Sequence, residues 1–414
     1  MYHFLLSAIL LAIPFLALSF FQDKRKGFLS VLFLIFTFLT AIFFITQFFG
    51  AFSFWIVIFL IAVADIIFLY FYLRSGQKLY FNFKKPDWVL VFVLFISFVT
   101  LWQVHYNYTG KINLATDQTV SYHEVKGMKY VYPYFSDEWY AVSLIKSSIN
   151  TNGLPIKNPD NTIFHNLEIF FHSFSAGMML IFGLDPLTQY VAFSLVMNVL
   201  IIVLAYLFLR INKISPLSAG IASLFILYIT CGANFPGLWH FIAANMGVIL
   251  CLLGFCFISL GSMGFAFLSL ILLLLFYPPL TIFYAAAFIC FIYPKFPKDR
   301  LSLIKMLQWG LVLVLLIIPL LFFVLLASPL SRIGVAMLSK FHYLSFSGFN
   351  IPQYAFYNII PWPAVILSLF GLPYIYKNKK WFLAPLLMGA LFWLLYSFSA
   401  YRIIIEYERV AFLV

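Results

Sequence analysis

Long apolar runs, broken at intervals by short clusters of charge, dominate the chain from its first residues to its last. A helix that crosses a bilayer needs roughly 20 mostly apolar residues. Runs of that kind lie at about 2–21, 27–47, 51–73, 88–105, 187–209, 215–232, 239–260, 302–327, 361–376 and 381–400. Two shorter ones, near 263–277 and 280–294, flank the sequence YPPL. The pattern predicts an all-α polytopic membrane protein of about 12 or more transmembrane helices. The closing residues YERVAFLV read as the start of a further apolar run, so the 187–414 bundle is expected to continue beyond them.

One segment, Phe164 to Gly183, is apolar but carries His165, Asn166, Glu168 and His172, which are costly in lipid. The placement of the basic loops decides its expected position. The short stretches 23–26, 74–85, 210–213, 294–300 and 377–380, with Lys305, hold 16 of the 25 Lys and Arg residues. Such clusters mark cytoplasmic loops. All of them fall on one side only if 164–183 stays on the opposite surface as an interfacial or re-entrant helix. The N-terminus is then outside, and 106–186 forms one large outer loop holding seven of the 13 acidic residues. All seven histidines (His3, His105, His123, His165, His172, His240 and His342) also fall at or near the outer face. Three regions are expected: a four-helix membrane segment over 1–105, the extracytoplasmic loop 106–186 with juxtamembrane helices, and a transmembrane bundle over 187–414.

Composition sharpens this picture. Hydrophobic residues make up 64% of the chain and charged ones 9%, which excludes a soluble globular domain. The net charge of +12 belongs to the cytoplasmic loops and gives no reason to expect nucleic acid as a partner. Cys231, Cys251, Cys256 and Cys290 lie in or beside apolar runs, without metal-ligand spacing, and read as small apolar packing residues.

In the outer loop Asp137 and Glu138 stand side by side after Ser136, a good N-cap. Trp139, Val142, Ile145 and Ile149 follow at helical spacing, and Asn152-Gly153 supplies a stop. A short helix lying on the membrane with that apolar face down is expected. Two readings of its acids are open: capping charges that favour the helix dipole, or chemistry at the membrane surface. Lys146 is either a phosphate contact or part of a solvated face. His165, Glu168 and His172 fall on one face if the helix is continuous. They are candidates for sugar contact, for a divalent metal, or simply for a polar outer face. Asp65 is the one acid deep in an apolar span and is a functional candidate on that ground.

The ordered set of Asp137-Glu138, the turn NGLPIKNP, the surface segment FHNLEIFFHSFSAGMMLIFGLDP, a span and a basic loop resembles the first outer loop of the GT-C superfamily of membrane glycosyltransferases. That superfamily includes the protein O-mannosyltransferases and the aminoarabinose transferases. The likeness covers about 132–210. It departs from the better-known members in placing four spans before the acidic loop. The resemblance implies an inverting glycosyltransferase at the extracytoplasmic face, taking its sugar from a polyprenyl-phosphate donor and giving it to a protein, lipid or glycan acceptor. It implies Asp137 as general base, with Glu138 orienting it or holding its charge. Arg402 and Arg409 in YRIIIEYERV, with Lys146, would bind the donor phosphate. A local pairing of Arg409 with Glu406 or Glu408 is equally open. A prokaryotic plasma membrane is expected. Two other classes compete: a flippase or transporter of lipid-linked sugars or cell-envelope polysaccharide, and a non-catalytic scaffold.

Overall fold

The computed structural model describes residues 2–20, 24–75, 87–116, 119–129, 131–133, 136–156, 168–228, 240–295 and 362–399, with 166, 348–349 and 401–402. The chain divides into two compact units. The first comprises Met1–Pro155, Phe170–Thr230 and Pro236–Phe265; the second comprises Ile156–Ile169, Cys231–Phe235 and Ala266–Val414.

The first unit opens with helix α1 (Tyr2–Ala12), which tightens into a 3₁₀ segment over Ile13–Phe20. Pro14 lies at this change and has no amide to extend an α-helical ladder. Helices α2 (Lys24–Phe48), α3 (Phe54–Arg74) and α4 (Trp88–Tyr106) follow. Then come a hairpin of β1 (Tyr108–Thr116) and β2 (Thr119–Met128), helix α5 (Ser136–Thr151) and helix α6 (Ile169–Phe182). The unit is completed by α7 (Pro186–Ile211), α8 (Pro216–Phe225), α9 (Ala243–Ser259) and the start of α10 (Met263–Phe276). Among the described residues four helices are long and apolar enough to cross a membrane: Arg25–Phe48, Phe54–Arg74, Trp88–Tyr106 and Pro186–Ile211. Shorter apolar helices include Ile169–Phe182, Ala243–Ser259, Met263–Phe276 and Pro278–Ile292, and the expected span at 302–327 lies outside the described residues.

The described residues are mostly helical, as the apolar pattern predicts, and a hairpin is added to them after α4. Its strands pair antiparallel from Thr116↔Thr119 out to Tyr108↔Met128, with a bulge between Tyr108 and Gly110. Alternation of Thr, Val and Tyr with polar residues in TVSYHEVKGM is the strand signal that a search for helical periods passes over.

Helix α7 is the centre of the first unit. It packs against α9, α4, α8 and α5. Its two ends differ in chemistry. At the C-terminal end Tyr206 donates to Asp87 Oδ2 at 2.7 Å, Arg210 donates to the Ile214 carbonyl at 2.6 Å, and Arg25 reaches the Arg210 carbonyl at 3.3 Å. At the other end it follows directly on α6.

Helix α6 is buried on nearly every side: Ile169, Phe171, His172, Ser173, Phe174, Ser175, Ala176, Met179 and Ile181 are all at most 3% exposed. An interfacial helix with one face in lipid would not look like this. Fourteen residues rise only about 21 Å, less than the roughly 30 Å hydrocarbon core. One end of α6 meets the last turn of α2, where Gln47 Nε2 donates to the Ser173 carbonyl at 2.9 Å and Phe44 stacks on Phe170. Its other end meets the first turns of α1, where Ser7 donates to the Ile181 carbonyl at 2.6 Å and Phe4 lies against Phe182. Between these contacts Gly177 faces the Phe43 ring so closely that a Cβ there would collide with it. A Schellman-type turn ends the helix, with Leu184 N donating to Met179 O at 2.8 Å and Gly183 at φ +67°.

The second unit contains most of α10, helix α11 (Pro278–Ile292), and helices at Trp362–Asn378 and Leu383–Ser399. Pro278 and Pro279 open α11, where missing amides do no harm. Tyr284 ties it to α10 by donating to the Ala266 carbonyl at 2.8 Å.

Candidate functional site

The acidic pair is split by the helix it opens. Asp137 is exposed, whereas Glu138 has no exposed surface. The buried face of α5 carries Glu138, Ala141, Val142, Ile145 and Ser148, with Leu144 beside it. The expected stripe is therefore corrected: Val142 and Ile145 belong to it, but Trp139 is 39% exposed and Glu138 takes its place. Helical spacing of Glu138 with Ala141, Val142 and Ile145 brings the carboxylate round to the interior. Ser148 and Gly153 close the helix, the Ser148 hydroxyl donating to Gly153 O at 2.7 Å, and Asn152 takes φ +52°.

Glu138 meets a short buried stretch of non-helical backbone, His240-Phe241-Ile242, just before α9. Its Oε1 accepts the Phe241 amide at 2.9 Å. Tyr190, one turn into α7, donates its hydroxyl to the Phe241 carbonyl. The His240 carbonyl accepts from Asn198 Nδ2 at 2.9 Å and from Asn245 Nδ2 at 3.1 Å. Asn245 Oδ1 receives the Ile242 amide at 3.2 Å, and Asn245 Nδ2 also donates to Asn198 Oδ1 at 3.2 Å. Buried irregular backbone persists only where protein supplies its hydrogen bonds. Here α5, α7 and α9 supply them, and Glu138 is the charged member of the set. Glu138 is thus tied through Oε1 to a backbone amide distant in the chain.

His172 is 1% exposed and receives the Tyr140 ring edge-on at 5.8 Å, which brings α6 to the first turns of α5. Glu168 does not share a helical face with it, because α6 begins at Ile169 and Glu168 belongs to the preceding turn. The Glu168 amide donates instead to Asn166 Oδ1 at 3.0 Å, and the Asn166 amide to Ile156 O at 3.1 Å. His165 lies outside the described residues. No group of three or more His, Cys, Asp or Glu among the described residues could hold a metal ion.

Lys146 is exposed on α5, and its charge reaches Asp185 at the N-cap of α7. The Thr188 hydroxyl, which donates to Asp185 Oδ2 at 2.7 Å, is the main cause holding that carboxyl below the usual range, and Lys146 adds to it. Arg402 lies in the two-residue strand Tyr401–Arg402, paired with Gly348–Phe349; Arg409 is outside the described residues.

Tyr190, Asn198, Asn245 and Gln47 went unnoticed at the level of sequence. Two asparagines inside apolar runs were the available signal, since amides in a membrane helix need partners. No family model, no curated protein and no solved structure matches the chain.

Proposed function

We propose that the protein is a membrane glycosyltransferase that takes a sugar from a polyprenyl-phosphate donor at the extracytoplasmic face, with Asp137 as general base. The reading rests chiefly on the split of the acidic pair. Capping acids on a surface helix would both remain in water. Here Glu138 is drawn inside and fixed, and Asp137 stands exposed on the adjoining position of a rigid first turn. A carboxylate so placed can take the proton of an acceptor hydroxyl or amine as its heteroatom attacks the anomeric carbon. The carrier phosphate leaves with the bonding pair, and the configuration inverts. Lys146, exposed on the same helix, offers a cation to the phosphate, and Arg402 and Arg409 are further candidates. His172 and Glu168 are the candidates for contact with sugar, together with His165. The positive-inside rule supports the orientation, because Arg25 and Arg210 gather at the end of α7 away from the acidic pair. The membrane proposed is a prokaryotic plasma membrane.

The experiment is release of free carrier phosphate from a panel of polyprenyl-phosphate sugars, by protein in nanodiscs, comparing wild type with Asp137→Asn. Release by wild type and none by the variant is expected. Equal release would place the base elsewhere. A second reading, translocation of lipid-linked sugars, is favoured by one observation, the buried Asp65 in α3. Carrier binding by both proteins, without release from either, would select it.

A further inference from the structure

Residues 2–20 run beside α3 in the same direction. At one end His3 stacks on Phe54 with ring centroids 3.7 Å apart, and Tyr2 lies 6.2 Å from Trp55. At the other end Phe20 meets Tyr72 edge-on at 5.5 Å. Helix α3 turns one buried stripe inward, formed by Phe54, Ile58, Ile61, Asp65 and Tyr72, while Trp55, Phe59, Ile66 and Tyr70 are exposed. Asp65 thus sits midway along a stripe whose two ends are covered by the N-terminal segment. It is only 5% exposed, and its Oδ2 has no hydrogen-bond partner among the described residues.

Helical rise fixes the level. From Phe54 to Asp65 the chain advances about 16 Å. The same advance from His3 runs to the end of α1 and about 3 Å into the tighter 3₁₀ segment, reaching Ile13–Pro14. The carboxyl is therefore level with the proline, where the preceding turn, at Leu10 and Leu11, loses an amide donor.

Among the described residues, α1, the 3₁₀ segment and α2, which pack on α3, offer no counter-charge at this level. On α1 the titratable groups are Tyr2 and His3, both at the Phe54 end, and the 3₁₀ segment has none. On α2 they are Lys24, Arg25 and Lys26 in the first turn, and on α3 itself Tyr70, Tyr72 and Arg74 near its end. An ionised carboxylate is costly in such surroundings, whereas a protonated one is a hydrogen-bond donor, at the level where Pro14 supplies none.

We propose that Asp65 is a proton-binding site within the membrane: its carboxyl carries a proton at neutral pH and donates it to the α1 carbonyls at the Pro14 junction. The site stands apart from α5 and does not depend on the transferase reading.

A hydrophobic carbodiimide tests it directly on the wild-type protein in nanodiscs. The acid O–H adds across one C=N bond, oxygen to carbon and proton to nitrogen, and the product rearranges to an N-acylurea with nothing lost. Peptide mass spectrometry should find Asp65 carrying the whole mass of the reagent at neutral pH, with less modification as pH is raised. Infrared spectra should show a protonated-carboxyl band that Asp65→Asn removes. Absence of both signals at Asp65 would overturn the proposal. Suppression of the modification by sodium at constant pH would also overturn it, in favour of a cation site.

Discussion

Glu138 and Phe241 are 103 positions apart in the chain, yet the carboxylate of one accepts the backbone amide of the other at 2.9 Å inside the protein. The bond fastens the first turn of α5 to the unwound residues before α9. It gives the second acid of the pair a scaffold role and leaves the first exposed.

Replacing Glu138 should therefore separate charge from geometry. Glu138→Gln keeps an oxygen for the Phe241 amide and should fold with a modest loss of stability. Glu138→Ala leaves that amide without its acceptor and should cost more, about 1.5–3 kcal/mol for a hydrogen bond to a charged group. Thermal unfolding in detergent orders the variants; Gln as damaging as Ala would mean that the negative charge itself is required.

Asp137→Asn should leave the unfolding temperature within error of wild type, because the side chain is exposed. Carrier release should be abolished. A matching loss of stability would mean that Asp137 holds the fold, and its assignment as a base would fail.

Gly177→Ala should destabilise by overpacking against Phe43, on the order of 1–3 kcal/mol. Phe43→Leu in the same chain should recover part of this loss. Additive effects in the double-mutant cycle would contradict the close approach of α2 and α6.

Asn245 holds the stretch before α9 at two points, accepting the Ile242 amide and donating to the His240 carbonyl, whereas Asn198 bonds it only at the His240 carbonyl. Asn245→Leu should lower the unfolding temperature more than Asn198→Leu, although amide bonds between membrane helices average only about 0.6 kcal/mol. The reverse order would remove Asn245 from its place at the centre of the network.

The Asp185 carboxyl is held below the usual range, first by the Thr188 hydroxyl. A depressed carboxyl adds stability above its unfolded pKa and loses it as pH falls through the folded value. Wild type should therefore lose stability on acidification below the ordinary carboxylate range, and Asp185→Asn should lose less. Parallel unfolding curves for the two across that range would show that the cap makes no difference.

How far the sequence could be read depended on the kind of signal. Apolar runs located α2, α3, α4 and α7 because length and hydropathy act within one segment. The acidic pair stood out because charge is rare in this chain. What pattern could not supply was rotation: Trp139 and Glu138 are neighbours, and a turn of about 100° decides which of them is inside. The partner of Glu138 was equally out of reach, since a backbone amide has no letter in the sequence. Burial of α6 escaped for a related reason. The His, Asn and Glu of the 164–183 segment suggest a surface, but Asn166 and Glu168 precede α6, and Gln47 and Ser7 bond its backbone carbonyls from other helices.

The bond from Gln47 to the Ser173 carbonyl also has a consequence for biosynthesis, because its two ends are 126 positions apart. As the ribosome delivers the chain, α2 reaches the bilayer with its amide bare and with the Phe43 ring facing no glycine. Neither is satisfied until α6 emerges much later. The contact between α2 and α6 can therefore close only after α3, α4 and α5 have been made.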